Sequence, residues 1–132
     1  MRKQHSPKQW VNKAKSDLTA AVDLLSVESE ALDAICFHSQ QAAEKYLKAM
    51  MAANQMTIPY EHSLPMLMKL LGNLVPQQRD FQKEVAWLSQ FAVEVRYPAK
   101  SGGAVSKEHA HRALRIAREI KNVAEQQLKN EQ

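Results

Sequence analysis

The segment from about Ser29 or Glu30 to Asn54 constrains the fold more than any other part of this chain. It contains no proline or glycine and is dominated by alanine, leucine, methionine, lysine and glutamine, residues that enter a helix at little cost. Its apolar residues fall on two faces. Ala34, Ile35, Ala42 and Ala49 form one row, and Leu32, Cys36, Ala43, Leu47 and Met50 form another. A helix that is apolar on two sides is packed on two sides, so this segment is expected to be the central helix of a bundle.

The rest of the chain reads as its neighbours. Ser6-Pro7 is a capping residue followed by proline at the first helical position. Behind it, Val11, Ala14, Leu18, Ala21, Val22 and Leu25 recur at three- and four-residue steps and make one apolar stripe. Thr57-Ile58-Pro59-Tyr60-Glu61 breaks the central helix, because Pro59 cannot continue it and constrains its neighbour. Ser63 and Pro65 restart a short helix carrying Leu64, Leu67, Met68 and Leu71, which Gly72 to Pro76 ends. A fourth helix is expected from roughly Gln77 to Val95, with Phe81, Val85, Leu88 and Ala92 in register and Trp87 and Phe91 alongside. Residues 96–103 read as a loop by composition. Ser106 caps a last helix whose buried stripe runs from Ala110 through Ala113, Leu114, Ala117, Ile120 and Ala124 to Leu128. No strand-like alternation of useful length appears. The expectation is an all-α, antiparallel up-and-down bundle of four long helices plus one short helix, in a single domain spanning 1–132 and structured over about 6–130.

At 132 residues the chain is long enough to close one core, and 45% apolar residues with only three glycines argue against widespread disorder. The single cysteine, Cys36, excludes an internal disulfide and a multi-cysteine zinc site, and is most simply a small core residue. No run approaches the roughly 18 apolar residues of a membrane span, and no apolar block follows the basic N-terminus. The expected location is cytoplasmic, away from membranes. A net charge of +4 favours an anionic partner such as RNA or a nucleotide, though weakly.

The polar residues of the central helix are the informative ones. Gln40 with Glu44, Gln41 with Lys45, and Glu44 with Lys48 are each four apart and share a helix face. Such a face is either solvated, with an ion pair worth a few tenths of a kcal/mol, or it meets a second subunit or a ligand cleft, since buried polar groups need partners. His38 lies on this polar side. Further along, Arg112, Arg115 and Arg118 step by three, and Glu108–Arg112 and Arg115–Glu119 are expected to pair and neutralise part of the row. His109 and His111 are two apart, on nearly opposite faces, and make no metal pair.

The run Phe37-His38-Ser39-Gln40-Gln41-Ala42-Ala43-Glu44-Lys45-Tyr46-Leu47-Lys48-Ala49 resembles the second-helix signature of HEPN domains, the "higher eukaryotes and prokaryotes nucleotide-binding" family. Asp17-Leu18-Thr19-Ala20-Ala21 resembles the family's first-helix pattern, His62-Ser63-Leu64 its turn into helix three, and Arg96-Tyr97-Pro98 the tripeptide that often closes helix four. The resemblance covers roughly Ser6 to Lys121. It implies a helix bundle that forms a homodimer and acts with a small nucleotidyltransferase, often as a toxin–antitoxin pair. Many members are metal-independent ribonucleases with an Arg-x4–6-His motif, in which imidazole relays the 2′-hydroxyl proton and arginine holds the phosphate.

This chain departs from that motif, because Lys100, Ser101, Gly102 and Gly103 follow Arg96 where the histidine would stand. The expectation therefore leans to a non-catalytic, nucleotide- or RNA-associated subunit without metal or cofactor. A degenerate ribonuclease and a plain dimerisation module are the alternatives. Arg96 is the one catalytic candidate, read either as a phosphate contact or as a cap on the carbonyls ending helix four. Arg96, Tyr97, His38, Gln41, Glu44, Lys45 and His62 are the candidate nucleotide or RNA contacts. His62 is read either as a ligand or base, or as a side chain hydrogen-bonded to the turn before helix three.

Overall fold

Ser6 opens the first helix with a reciprocal cap. Its Oγ accepts the Gln9 amide at 3.1 Å, and the Gln9 side-chain oxygen accepts the Ser6 amide at 2.7 Å, with Pro7 in the first turn. The computed structural model describes residues 4–93 and 105–130. Its elements are α1 (Pro7–Ser26), α2 (Leu32–Ala53), α3 (Leu64–Leu71) followed by a single 3-10 turn (Gly72–Leu74), α4 (Arg79–Ser89) and α5 (Lys107–Asn130). The described residues contain no strand, and no helix among them is long and apolar enough to cross a membrane.

Helix α2 is the axis of the bundle, as its two apolar rows require. Helices α1 and α5 lie along it, while α3 and α4 pair with each other and cover the remainder. Ala42, Ala43 and Ala49 are wholly buried, and their small side chains let neighbouring backbones come close. Ile35, Leu47, Met50 and Met51 fill the larger gaps, against Ala14, Leu18 and Ala21 of α1 and Ile116, Ile120 and Ala124 of α5. The lone cysteine is a core residue: burial first, then the Asp33 charge, pushes the Cys36 thiol up to about 12.

Two helices are shorter than their periodicity suggests, for local reasons. Helix α2 starts at Leu32, not at Ser29 or Glu30. Glu28 there adopts a left-handed conformation (φ 51°), and the Ser29 Oγ accepts the Ala31 amide at 3.0 Å, so the chain is still turning. Helix α4 ends at Ser89, where the amides of Gln90, Phe91 and Ala92 each bond a carbonyl three residues back and tighten the chain out of α geometry. Val95, the expected end of that helix, lies outside the described residues. At its start, the Gln77 side chain folds back onto the Gly72 and Val75 carbonyls, which delays the helix to Arg79.

Tyr46 is wholly buried in α2 and its hydroxyl has no hydrogen-bond partner among the described residues. Burial first, then the Glu125 charge, pushes that hydroxyl up to about 12 from 10.0. A raised acid of this kind contributes stability that is complete below the unfolded value and is lost as pH climbs to the folded one. Tyr46→Phe removes an unsatisfied donor, so it should leave stability at neutral pH unchanged or raise it by about 1 kcal/mol. It should also flatten the loss of stability between pH 10 and about 12. Urea denaturation of both proteins at neutral and alkaline pH reads both effects.

Candidate functional site

Asp17 of α1 ties two turns of α2 together. Its Oδ1 lies 2.8 Å from His38 Nδ1, and its Oδ2 pairs with the Lys45 ammonium. The carboxylate is largely covered while His38 and Lys45 stay partly open, so one covered anion holds both side chains. The Asp17 contact fixes the orientation of the His38 ring.

A second cluster follows on the same side of α2. Glu44 is 3% exposed, and its Oε2 accepts from the Lys48 ammonium at 3.0 Å. Both Glu44 oxygens lie 3.2 Å from Nδ1 of His62, which sits on the segment before α3. The wholly buried Gln40 donates to the His62 carbonyl at 3.1 Å and accepts from Gln41 at 2.8 Å. Gln41 also reaches the Ala92 carbonyl at 3.5 Å, fastening the end of α4 to α2.

Above this wall opens a cavity of about 450 Å³, lined among others by Trp10, Gln41, Glu44, Lys45, Lys48, Tyr60 and His62. The Lys48 ammonium lies 5.5 Å from the centre of the Trp10 ring, a cation held against an aromatic face. His5 meets Trp10 edge-on, and Tyr60 meets His62 in the same way. The indole Nε1 of Trp10 is buried with no partner among the described residues. Two carboxylates, Asp17 and Glu44, balance two ammonium groups, Lys45 and Lys48. The charge of the cleft is therefore matched within the protein. Its chemistry suits an anion at the lysines beside a planar group on the aromatic rim.

The structure thus brings Gln41, Glu44, Lys45 and His62 onto one wall, while His38 is tied to Lys45 through Asp17 and is not among the residues that line the cavity. Arg96 and Tyr97 lie outside the described residues. His62 does not bond its turn through its ring, which goes to Glu44. Glu61 supplies the turn instead, its Oε2 accepting the His62 and Ser63 amides at 3.1 Å each. Asp17, Lys48, Trp10 and Tyr60 are absent from the candidates read from sequence. The spacing of Lys48 from Glu44 signals the first contact, whereas nothing in the periodicity places Trp10 or Asp17 beside α2.

The arginine row on α5 differs from expectation in one pair. Arg115 bonds Glu119 at 2.8 Å as its spacing predicts. Arg112 turns to Glu84 of α4, at 3.0 and 3.2 Å, and not to Glu108, because Trp87 offers its guanidinium a ring 4.0 Å away. The Arg112 hydrogen bond, with Arg115 adding to it, holds the Glu84 carboxyl below its usual range. These residues clamp α4 to α5. At the start of α5, Ser106 and His109 cap each other, the Ser106 Oγ accepting the His109 amide and His109 Nδ1 accepting the Ser106 amide. Among the described residues no group of three His, Cys, Asp or Glu is placed to hold a metal ion.

The described residues form a bundle of five helices with a charged, aromatic-rimmed cleft on the central one, which defines a class of small helical-bundle domain. The HEPN domain family model matches residues 7–127, and the chain belongs to that family. The crystal structure of TT1696 from Thermus thermophilus is similar, with 25% identity, a TM-score of 0.78, and coverage of 92% of this chain and 97% of that one. The crystal structure of ST0689, an archaeal HEPN homologue, shares the fold at 22% identity and a TM-score of 0.74, covering 94% and 98% of the two chains. No curated protein matches the chain.

Lys48 is nearly buried, and Glu44 is the carboxylate that pairs its ammonium. Glu44→Gln should destabilise the fold by about 3 kcal/mol by leaving that ammonium unpaired, and Glu44→Gln with Lys48→Met should recover most of the loss. Chemical denaturation of the single and double variants measures the difference.

Proposed function

We propose that this HEPN chain is a nucleotide- or nucleic-acid-associated subunit. In this reading it forms a homodimer in the cytoplasm and acts with a small nucleotidyltransferase as half of a toxin–antitoxin system. The observation that carries the ligand is the α2 cleft. Lys45 and Lys48 offer donors for phosphate, Gln41 and Glu44 offer hydrogen bonds to a base or ribose, and Tyr60, which is 90% exposed, offers a stacking face. Arg96 is a further phosphate contact in this reading, and Tyr97 follows it in the sequence. Met66 and Leu70 on α3, 44% and 46% exposed, leave apolar surface suited to a second subunit. The nucleotidyltransferase partner rests on family membership.

A second reading, metal-independent ribonuclease, is favoured by the Asp17–His38 pair, which orients an imidazole as a general base requires. RNA cleavage in EDTA that His38→Ala or Arg96→Ala abolishes would establish this reading in place of the first.

Trp10 reports on the cleft. Adding ATP or a short RNA should quench its fluorescence in a Trp87→Phe background. Lys45→Ala should weaken the apparent affinity by about tenfold, the loss of one charge-assisted contact. Unchanged fluorescence with every nucleotide and RNA tried would remove the ligand. Failure to co-purify with a nucleotidyltransferase encoded next door would remove the partner.

A further inference from the structure

The two ends of the α1–α5 face carry opposite charge. At one end the first turns of α1, the last turns of α5 and the end of α2 line an open groove of about 860 Å³. Val11 and Leu128, the outermost members of their helices' apolar stripes, line it with Ala53. Among the described residues, Lys8, Lys15 and Lys129 surround them, with Glu125 as the one carboxylate of the lining. None of these lysines stands within ion-pair distance of a carboxylate of the described residues. The lining holds no aromatic side chain on which a nucleobase would stack, which disfavours nucleic acid here.

At the other end, the turn joining α1 to α2 is an acidic knuckle. Glu28, Glu30 and Asp33 are exposed, and Val27 projects an aliphatic side chain that is 73% exposed. Lys107 of α5, at 3.6 Å from Glu28, is the cation that touches it. The knuckle is held in one shape. Glu28 takes the left-handed conformation, the Ser29 amide bonds the Leu24 carbonyl at 3.0 Å, and the Ala31 amide bonds the Ser29 Oγ. A preformed loop loses little conformational entropy on docking.

Groove and knuckle are complementary in both respects that matter: an aliphatic side chain for an aliphatic floor, and acidic residues for a lysine rim. One molecule cannot join its own two surfaces, because most of α1 separates them, about 20 Å at 1.5 Å rise per residue. We propose that the basic groove of one copy of this chain receives the Val27–Asp33 knuckle of a second copy, in a head-to-tail contact. The two patches are different, so the contact is heterologous and propagates into rings or chains. It is independent of the cleft on α2 and of any two-fold dimer.

Sedimentation equilibrium of the full chain tests this. At about 20 mM salt the mass should rise with concentration, and at about 500 mM that rise should vanish as the charges are screened. Reversing the groove (Lys8→Glu, Lys15→Glu, Lys129→Glu) or the knuckle (Glu28→Lys, Glu30→Lys, Asp33→Lys) should each lower the association constant by about tenfold or more. Mixing the two variants should restore association, since each carries the surface that the other lacks. Val27→Ser, at an exposed position that leaves the fold intact, should weaken self-association about fivefold. A mass insensitive to salt and to both reversals would overturn the proposal. So would a mixture that fails to associate while circular dichroism shows both variants folded.

Discussion

Everything in this bundle depends on α2 being enclosed on more than one side while it carries charge. An alanine-rich helix is cheap to bury, and Ala42, Ala43 and Ala49 let its neighbours approach closely. Glu44 and Lys48 are not cheap, because taking an ion out of water costs several kcal/mol unless a partner stands ready. The four-residue spacing supplies that partner within the helix itself, at 3.0 Å. His62 then completes the carboxylate's shell from outside the helix. The segment before α3 is thereby tied to the middle of α2 by the same group that neutralises Lys48.

The same economy places the cleft. Asp17 satisfies His38 and Lys45 at once, and Gln40 links the His62 carbonyl to Gln41. Each of these polar side chains has a partner, and Gln41, Glu44, Lys45 and His62 line the cavity rimmed by Trp10 and Tyr60. Polar groups already held in position need little rearrangement to meet a ligand. The arginines of α5 follow the opposite course. Arg112 and Arg115 converge on Glu84, so their charge is used inside the protein, on joining α4 to α5.

Much of this was legible in the sequence because helix formation and amphipathic packing are local properties. The absence of proline and glycine across α2, its two apolar rows, the Ser6-Pro7 and Ser63–Pro65 starts and the Pro59 break all act within a few residues, and all appear where expected. Family membership was legible too, through the Phe37–Ala49 run. The misjudged boundaries lie where a side chain competes with the backbone. Ser29 bonds Ala31 in place of capping, and Gln77 folds onto Gly72 and Val75.

Tertiary structure alone decided which polar groups meet. Helical spacing pairs Glu44 with Lys48 and Arg115 with Glu119, since residues four apart face the same way whatever surrounds them. It is silent on Asp17 with His38, Glu44 with His62, and Arg112 with Glu84, which lie 21, 18 and 28 residues apart. Those contacts follow from how α1, α4 and the segment before α3 settle on α2 and α5. One residue's rotation about a helix axis, about 100°, would separate each pair. The sequence by itself determined the helices and the charge they carry; the packing of one helix on another turned those charges into a cleft.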